Sequence, residues 1–480
     1  MNNQIMATVT HVNNAINSFV WGPIMLALLV GTGILISFRS GFPQITKLGL
    51  ILKNTVGKLF NKDIRKKNES GISQYQAIST ALASTVGTGN ISGVATAIVA
   101  GGPGAIFWMW VSALFGIMTK FAEVTLSVRF REKNEKNEYV GGPMYYIENG
   151  LGHKWRWLGV AFAFFAAIAS LGTGNMAQSN SISLALHQTL HISPAITGIA
   201  LCIISAVVVF GGITRIASVT ERLVPAMGTF YIILGIVTLG MNYDKIGDAF
   251  ALIFEAAFNP QAAFGGVLGY TVMSAIRFGI ARGVFSNEAG LGSGPIAHAA
   301  SHTDHPVRQG MWGAFEVIFS TFIICTITAL VILTSGLWTT GAELDGAALS
   351  IEAFGSSVGI IGKFGVSIGI VLFALSTLLG WSYYGEKAIE YIFKSKPYVG
   401  KIKVAYKLVY ISMCYIGSVG GLHLVWGIAD TLNGMMAIPN LVALLLLSGT
   451  VTKLIKEFLS DLKKEDTEAK KAKKAAKANK

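Results

Sequence analysis

Residues 76–100 read QAISTALASTVGTGNISGVATAIVA, an apolar stretch of membrane-spanning length broken by Ser84, Thr85, Gly87, Thr88, Gly89, Asn90 and Ser92. An unpaired peptide group is costly in hydrocarbon, so irregular backbone persists there only where it lines a protein-enclosed site. A helix that stops within Ala83–Val86 leaves carbonyls without partners, and one that restarts near Gly89 leaves free N–H groups. The carbonyl end suits a cation and the N–H end a carboxylate. A zwitterionic amino acid with a sodium ion matches both ends. Helix packing alone would use Gly87, Gly89 and Gly93, but it gives no reason for Thr85, Thr88 and Asn90.

Other residues carry weaker chemical signals. Ser376 and Thr377 form a hydroxyl pair inside VLFALSTLLGW, and hard cations prefer oxygen ligands. The same hydroxyls also suit bonding back to the preceding helical turn. The run Gly172–Asn180 sets Asn175, Gln178 and Asn180 in one span, where amides must face a pocket or bond to neighbouring helices. Asn175 is the preferred pocket residue of the three. Arg277 stands in an apolar stretch, able to meet a substrate carboxylate, to cap exposed carbonyls or to pair with an acid such as Glu316. Lys120 and Glu123 read as an i,i+3 ion pair near a helix end rather than a proton relay. His298, His302, Asp304 and His305 cluster in one loop, but no cysteine or enclosing pattern supports a metal site. The absence of GxxxxGK[ST] and HExxH weighs against an ATP-driven pump and against an enzyme.

These residues need a membrane scaffold to position them. The chain has 480 residues, 52% hydrophobic and only 13% charged, against about 25% charged in soluble domains. The pattern is that of an all-α integral membrane protein. The net charge of +13 could suggest a nucleic-acid partner, but Lys and Arg collect in alternate loops and in the tail, which argues against one. Cys202, Cys325 and Cys414 lie in apolar stretches as small core residues. No basic region precedes the first apolar run, so 19–38 reads as a retained span.

Eleven spans are expected, near 17–38, 72–100, 104–130, 156–187, 194–212, 220–241, 262–297, 307–335, 358–391, 403–421 and 430–455. Basic residues tell the two sides apart. Arg39 to Lys67, Arg131 to Lys154, Arg215 and Arg222, Arg308, and Lys394 to Lys403 fall on one side, whereas 100–104, 187–194 and 334–362 contain no Lys or Arg. The N-terminus is then outside and the lysine-rich tail cytoplasmic. That tail, 456–480, reads as solvated or weakly helical, with contact to anionic lipid as a minor role.

Setting aside 1–71, which holds the first span and a basic loop, ten spans remain. They divide as 72–241 and 262–455, joined by an extracellular connection at 242–261. Five is odd, so the second set enters from the opposite face, as an inverted repeat with a midplane site requires. The first helix of each half should be interrupted. The second half opens with FGGVLGYTVMSAIRFGIARG at 264–283, also rich in glycine and containing Ser274 and Arg277.

Six blocks together resemble the alanine/glycine:cation symporter family: GGPGAIFWMW at 101–110, TVGTGNISG at 85–93, GGPMYY at 141–146, RGVFSNEAGLGSG at 282–294, GWSYYGEK at 380–387 and NGMMAIPNLVALLLL at 433–447. The resemblance covers almost the whole chain. It implies a leucine-transporter-type five-plus-five inverted repeat with one extra N-terminal helix, which imports small neutral amino acids such as alanine and glycine with sodium as coupling ion. It implies no organic cofactor and no obligate protein partner, only membrane lipid around a multi-pass protein of the cytoplasmic membrane.

By the same resemblance, the carbonyls of Ala83 and Val86 and the hydroxyls of Ser376 and Thr377 hold sodium. Thr85, Gly87, Thr88 and Gly89 face the substrate carboxylate. Ser274, Ile276, Arg277, Phe278 and Gly279 form the second break and offer carbonyls to the ammonium, while Asn175 and Trp381 limit side-chain size. Arg277 departs from the uncharged residue expected in alanine-selective members, so glutamine or another polar amino acid is the alternative substrate. An ion channel is a further reading, but selectivity filters usually need symmetric assembly. A membrane-embedded enzyme would need a catalytic cluster.

Overall fold

The computed structural model describes residues 2–59, 61–66, 72–259, 271–340, 344–420 and 422–478. The fold is nearly all helical. Among the described residues eight helices are long and apolar enough to cross a membrane, with Ser92–Gly101 and Pro194–Val209 as shorter apolar helices. One two-stranded antiparallel ribbon, Glu132–Lys133 with Tyr139–Val140, lies in the loop after the Gly104–Arg129 helix.

The expected first span is a pair of helices, Asn2–Val20 and Pro23–Ser40, separated at Gly22 with Pro23 opening the second. It docks along the last helix, Leu422–Ala478, where Asn17 Nδ2 donates to Thr431 Oγ1 and Trp21 Nε1 to the Asp430 carbonyl, both at 3.1 Å. The expected extracellular connection contains a helix of its own, Ile246–Phe258, which buries Ala249, Ile253, Ala256 and Ala257. Gly104 allows the contact, because a Cβ there would sit 2.4 Å from the Ala256 carbonyl oxygen. The tail continues the last helix to Ala478.

Apolar side chains fill the space between helices, and others face outward. Ile196, Ile199, Ile203 and Val207 on Pro194–Val209, and Ile233, Ile236 and Val237 on Gly212–Gly240, are exposed. Such bands belong against hydrocarbon.

Two helices are interrupted. The first runs Gln74–Thr85, opened by a capping box in which Ser73 and Gln76 satisfy each other's backbone N–H groups. After Val86 and an extended Gly87, a single tight turn, Thr88–Asn90, leads into Ser92–Gly101. The second runs Val272–Asn287 and resumes as Pro295–Ala299. Its break lies at 288–294, where Glu288, Gly290 and Gly292 have φ of 56°, 96° and 79°. The expected break at Ser274–Gly279 is therefore corrected. That stretch is regular helix, and Gly279 serves close packing, since a Cβ there would lie 2.3 Å from the Ala105 carbonyl oxygen. Gly265, Gly266 and Gly269, part of the same expectation, fall outside the described residues.

Candidate functional site

At the first interruption the Ala83 carbonyl accepts hydrogen bonds from Ser376 Oγ and Thr377 Oγ1, both at 3.0 Å. Ser376 also bonds the Phe373 carbonyl one turn back, the back-bonding that the sequence allows for such a hydroxyl. Val86 is buried at the helix end. Gly87 is required here because a Cβ would stand 2.4 Å from Thr377 Oγ1.

Asn90 holds the unwound segment in place. Its Oδ1 accepts from the Gly87 N–H at 3.0 Å, and its Nδ2 donates to Ser286 Oγ at 2.9 Å and Ser320 Oγ at 2.7 Å. Its carbonyl accepts from Thr328 at 2.8 Å. One residue thus ties the first interruption to the second interrupted helix and to the helical stretch Pro306–Ser335.

A small buried cavity lies between the two breaks. Ser84, Thr85, Gly87 and Gly89 line it from the first; Phe285 and Glu288 from the second; Thr173, Gln178, Thr377, Trp381 and Asn433 complete it. Its volume is about 10 Å³, which is room for one water. The space is far too small for an amino acid, and Phe285 and Trp381 are its two aromatic walls. Glu288 is the charged group on this wall. It accepts from Trp381 Nε1 at 2.9 Å, from Ser293 Oγ at 2.6 Å and from Thr85 Oγ1 at 3.5 Å. Asn433 Oδ1 and the neighbouring Thr88 Oγ1 are buried without a hydrogen-bond partner, which leaves polar capacity for a ligand.

Thr85, Gly87, Gly89, Thr377 and Trp381, all singled out in the sequence, meet at this cavity. Thr88 lies behind it, its N–H 3.4 Å from Gln178 Oε1. Asn175 does not line it. Its side chain donates to the Tyr410 carbonyl at 2.6 Å and accepts from Ser179, and Gln178 takes the pocket position. A wide, π-type turn at Gly172–Met176 shifts the helix face, so amides three residues apart part company. Trp381 packs tightly against this turn, and a Cβ on Gly174 would clash with it at 2.4 Å.

Ser274, Ile276, Arg277, Phe278 and Gly279 occupy the outer turns of Val272–Asn287, and none lines the cavity. Arg277 is half-buried with its guanidinium 5.7 Å from the Phe278 ring centre. Glu316, one expected partner of Arg277, instead meets Lys120 at 3.6 Å and His298 at 2.5 Å. Lys120 and Glu123 are not the expected local pair. Lys120 faces Glu288 and Glu316, and Glu123 accepts from Asn440 and from the Gly290 N–H. Asp304 pairs with Arg308, and no group of three or more His, Cys, Asp or Glu suited to a metal occurs among the described residues.

Two interrupted helices meet around a polar, enclosed cavity in an apolar helical bundle. The fold is shared with MhsT, solved in complex with L-phenylalanine, with a TM-score of 0.54 at 17% identity over 82% of this chain and 100% of that one. The chain belongs to the sodium:alanine symporter family, whose model matches residues 6–473. The sodium/alanine symporter AgcS of Methanococcus maripaludis is 49% identical over 449 residues, 93% of this chain and 96% of AgcS. The probable sodium/glutamine symporter GlnT of Bacillus subtilis is 37% identical over 448 residues, 93% and 90% of the two chains.

Proposed function

We propose that this protein is a sodium-coupled symporter that imports small neutral amino acids, alanine and glycine foremost, across the cytoplasmic membrane. One observation carries the reading: two hydroxyls, from Ser376 and Thr377, converge on the Ala83 carbonyl at the end of an interrupted helix. An all-oxygen set of this kind suits a hard monovalent cation. Ala83, Ser376 and Thr377, with the Val86 carbonyl, would hold sodium beside the cavity. The substrate carboxylate would lie on the Gly87–Gly89 turn, near the Thr88 hydroxyl, and its ammonium at Glu288 and Asn433. Sodium and substrate then favour one conformation of the unwound segment, which is thermodynamic coupling.

Glutamine is the second reading, supported by the name of the Bacillus subtilis relative. The tightness of the cavity favours the smaller substrate, and Arg277, the residue that suggested a polar side chain, stands outside it. The eleven-span topology, the inverted relation of 72–241 to 262–455, the outside N-terminus and the cytoplasmic tail complete the proposal. Competition of labelled alanine uptake into proteoliposomes by a panel of amino acids, with and without a sodium gradient, tests it. Inhibition by glycine and weak inhibition by glutamine are expected. Uptake indifferent to sodium would refute the coupling, and strong preference for glutamine would refute the substrate.

A further inference from the structure

Behind the cavity wall lies a buried cluster that sodium coupling does not use. Lys120, fully enclosed, has its ammonium 3.9 Å from the Glu288 carboxylate, 3.6 Å from Glu316 and 3.4 Å from the Asn287 carbonyl. Glu316 meets His298 Nε2 at 2.5 Å, and His298 Nδ1 lies 2.7 Å from the Gln309 amide nitrogen. Glu123 stands on the same helix as Lys120, bonded through one oxygen to Asn440 and to the Gly290 N–H. Its other oxygen, and Glu316 Oε2, are buried with no hydrogen-bond partner. The other titratable or charged groups facing the cluster are Tyr146 through Asn440, Tyr384, which interacts electrostatically with Glu288 and Glu316, and Arg131, which binds the Ala299 and Ser301 carbonyls.

The charges do not balance. Three carboxylates surround one lysine, and Glu123, Glu288, Glu316 and Lys120 are each at most 3% exposed. The Gln309 amide nitrogen can donate to His298 Nδ1 only when that atom carries no proton, and Nε2 then presents its proton to Glu316. Uncompensated charge in so dry a place is expensive, and a proton is the smallest compensation available. His298 can take one at Nδ1 if the Gln309 amide turns to present its oxygen and Gln74, whose Nε2 donates to that oxygen at 2.9 Å, turns with it. A new N–H bond forms with a proton from hydronium or buffer acid, whose conjugate base stays in solution, and nothing else is transferred.

We infer that the Lys120–Glu288–Glu316–His298 cluster is a proton-binding site linked to the cavity through Glu288. The inference rests on the reading that the substrate ammonium sits at Glu288. The ammonium and the proton both neutralise the same excess of negative charge. Each therefore weakens the other's binding, and an arriving amino acid expels part of a proton. Affinity for the amino acid then rises with pH, by at most tenfold per unit for one linked proton.

The test is calorimetric titration of alanine into the full-length protein at saturating sodium, over roughly pH 5.5 to 8, where histidine changes charge and free alanine stays zwitterionic. Each titration is run in two buffers of different ionisation enthalpy, which counts the protons released. Expected are a release of up to one proton per alanine at the acid end and tighter binding at the alkaline end. In His298→Gln, alanine binding should persist with a smaller change of affinity with pH. The wild-type proton count stands even if that variant does not fold. Sodium-dependent alanine binding with no proton release and no pH slope overturns the inference and leaves the proposed function intact. Absence of alanine binding at every pH overturns both.

Discussion

Trp381 donates its indole N–H to the Glu288 carboxylate at 2.9 Å. The bond joins the Ile360–Ile392 helix, which carries the hydroxyl pair, to the break in the second interrupted helix. It also closes the cavity on one side, so a single contact both orients the buried acid and limits the space beside it.

Trp381→Phe keeps most of the ring volume but strips a donor from a buried carboxylate, a loss of about 1–3 kcal/mol. Apparent affinity for alanine should fall by about tenfold or more, read as KM in proteoliposome uptake. Trp381→Leu should in addition admit longer side chains, seen as new competition by larger neutral amino acids.

Thr377→Ala removes one of the two hydroxyls on the Ala83 carbonyl. Sodium activation should shift to concentrations about tenfold higher, the equivalent of roughly 1.4 kcal/mol, while protein abundance falls much less. Equal loss of abundance and activity would make the hydroxyl structural.

At Gly87, alanine would bring a Cβ to within 2.4 Å of Thr377 Oγ1. Uptake by Gly87→Ala should be near background even where the protein reaches the membrane in normal amount, as measured by quantitative blotting of membranes alongside transport.

These consequences differ in how much of them the sequence displays. The first break is legible because Gly87, Gly89 and Asn90 interrupt an otherwise apolar run, and such residues have no cheaper use in lipid. The second is misplaced by the sequence reading because a glycine that lets helices touch looks like a glycine that bends backbone. Gly279 does the first; Gly290 and Gly292, with positive φ, do the second, and the chain spells them in NEAGLGSG. Gln178 loses to Asn175 in the sequence because a wide turn resets the helical phase. Lys120 and Glu123 look like neighbours, yet their partners, Glu288, Glu316 and Asn440, lie more than 160 positions away, beyond the reach of any local pattern.

Asn90→Ala leaves the Gly87 N–H, Ser286 and Ser320 without their shared partner. Ser286 and Ser320 still bond each other, so the buried orphan is the Gly87 N–H, at a cost of about 1–3 kcal/mol. Thermal unfolding in detergent should occur several degrees lower, and saturating sodium with alanine should recover part of the difference.

Outside the spans, burial pushes the Glu148 carboxyl upward, but Lys394 at 2.9 Å, Tyr391 at 2.8 Å and Arg156 outweigh it and hold it below the usual carboxylate range. A lowered carboxyl stabilises the fold fully above its unfolded value, and that contribution is lost as pH falls through the folded value. Glu148→Gln should therefore lower the melting temperature at neutral pH and lose less stability than the wild type on acidification. A variant that melts like the wild type at neutral pH would show that these contacts contribute nothing.

The coupling itself is tested most directly by purified protein in sealed proteoliposomes carrying labelled alanine outside and an imposed sodium gradient. An inward gradient should drive alanine above its external concentration, and collapsing that gradient with a sodium ionophore should release it. Accumulation that is the same when potassium replaces sodium on both sides would contradict a cation held between Ala83, Ser376 and Thr377.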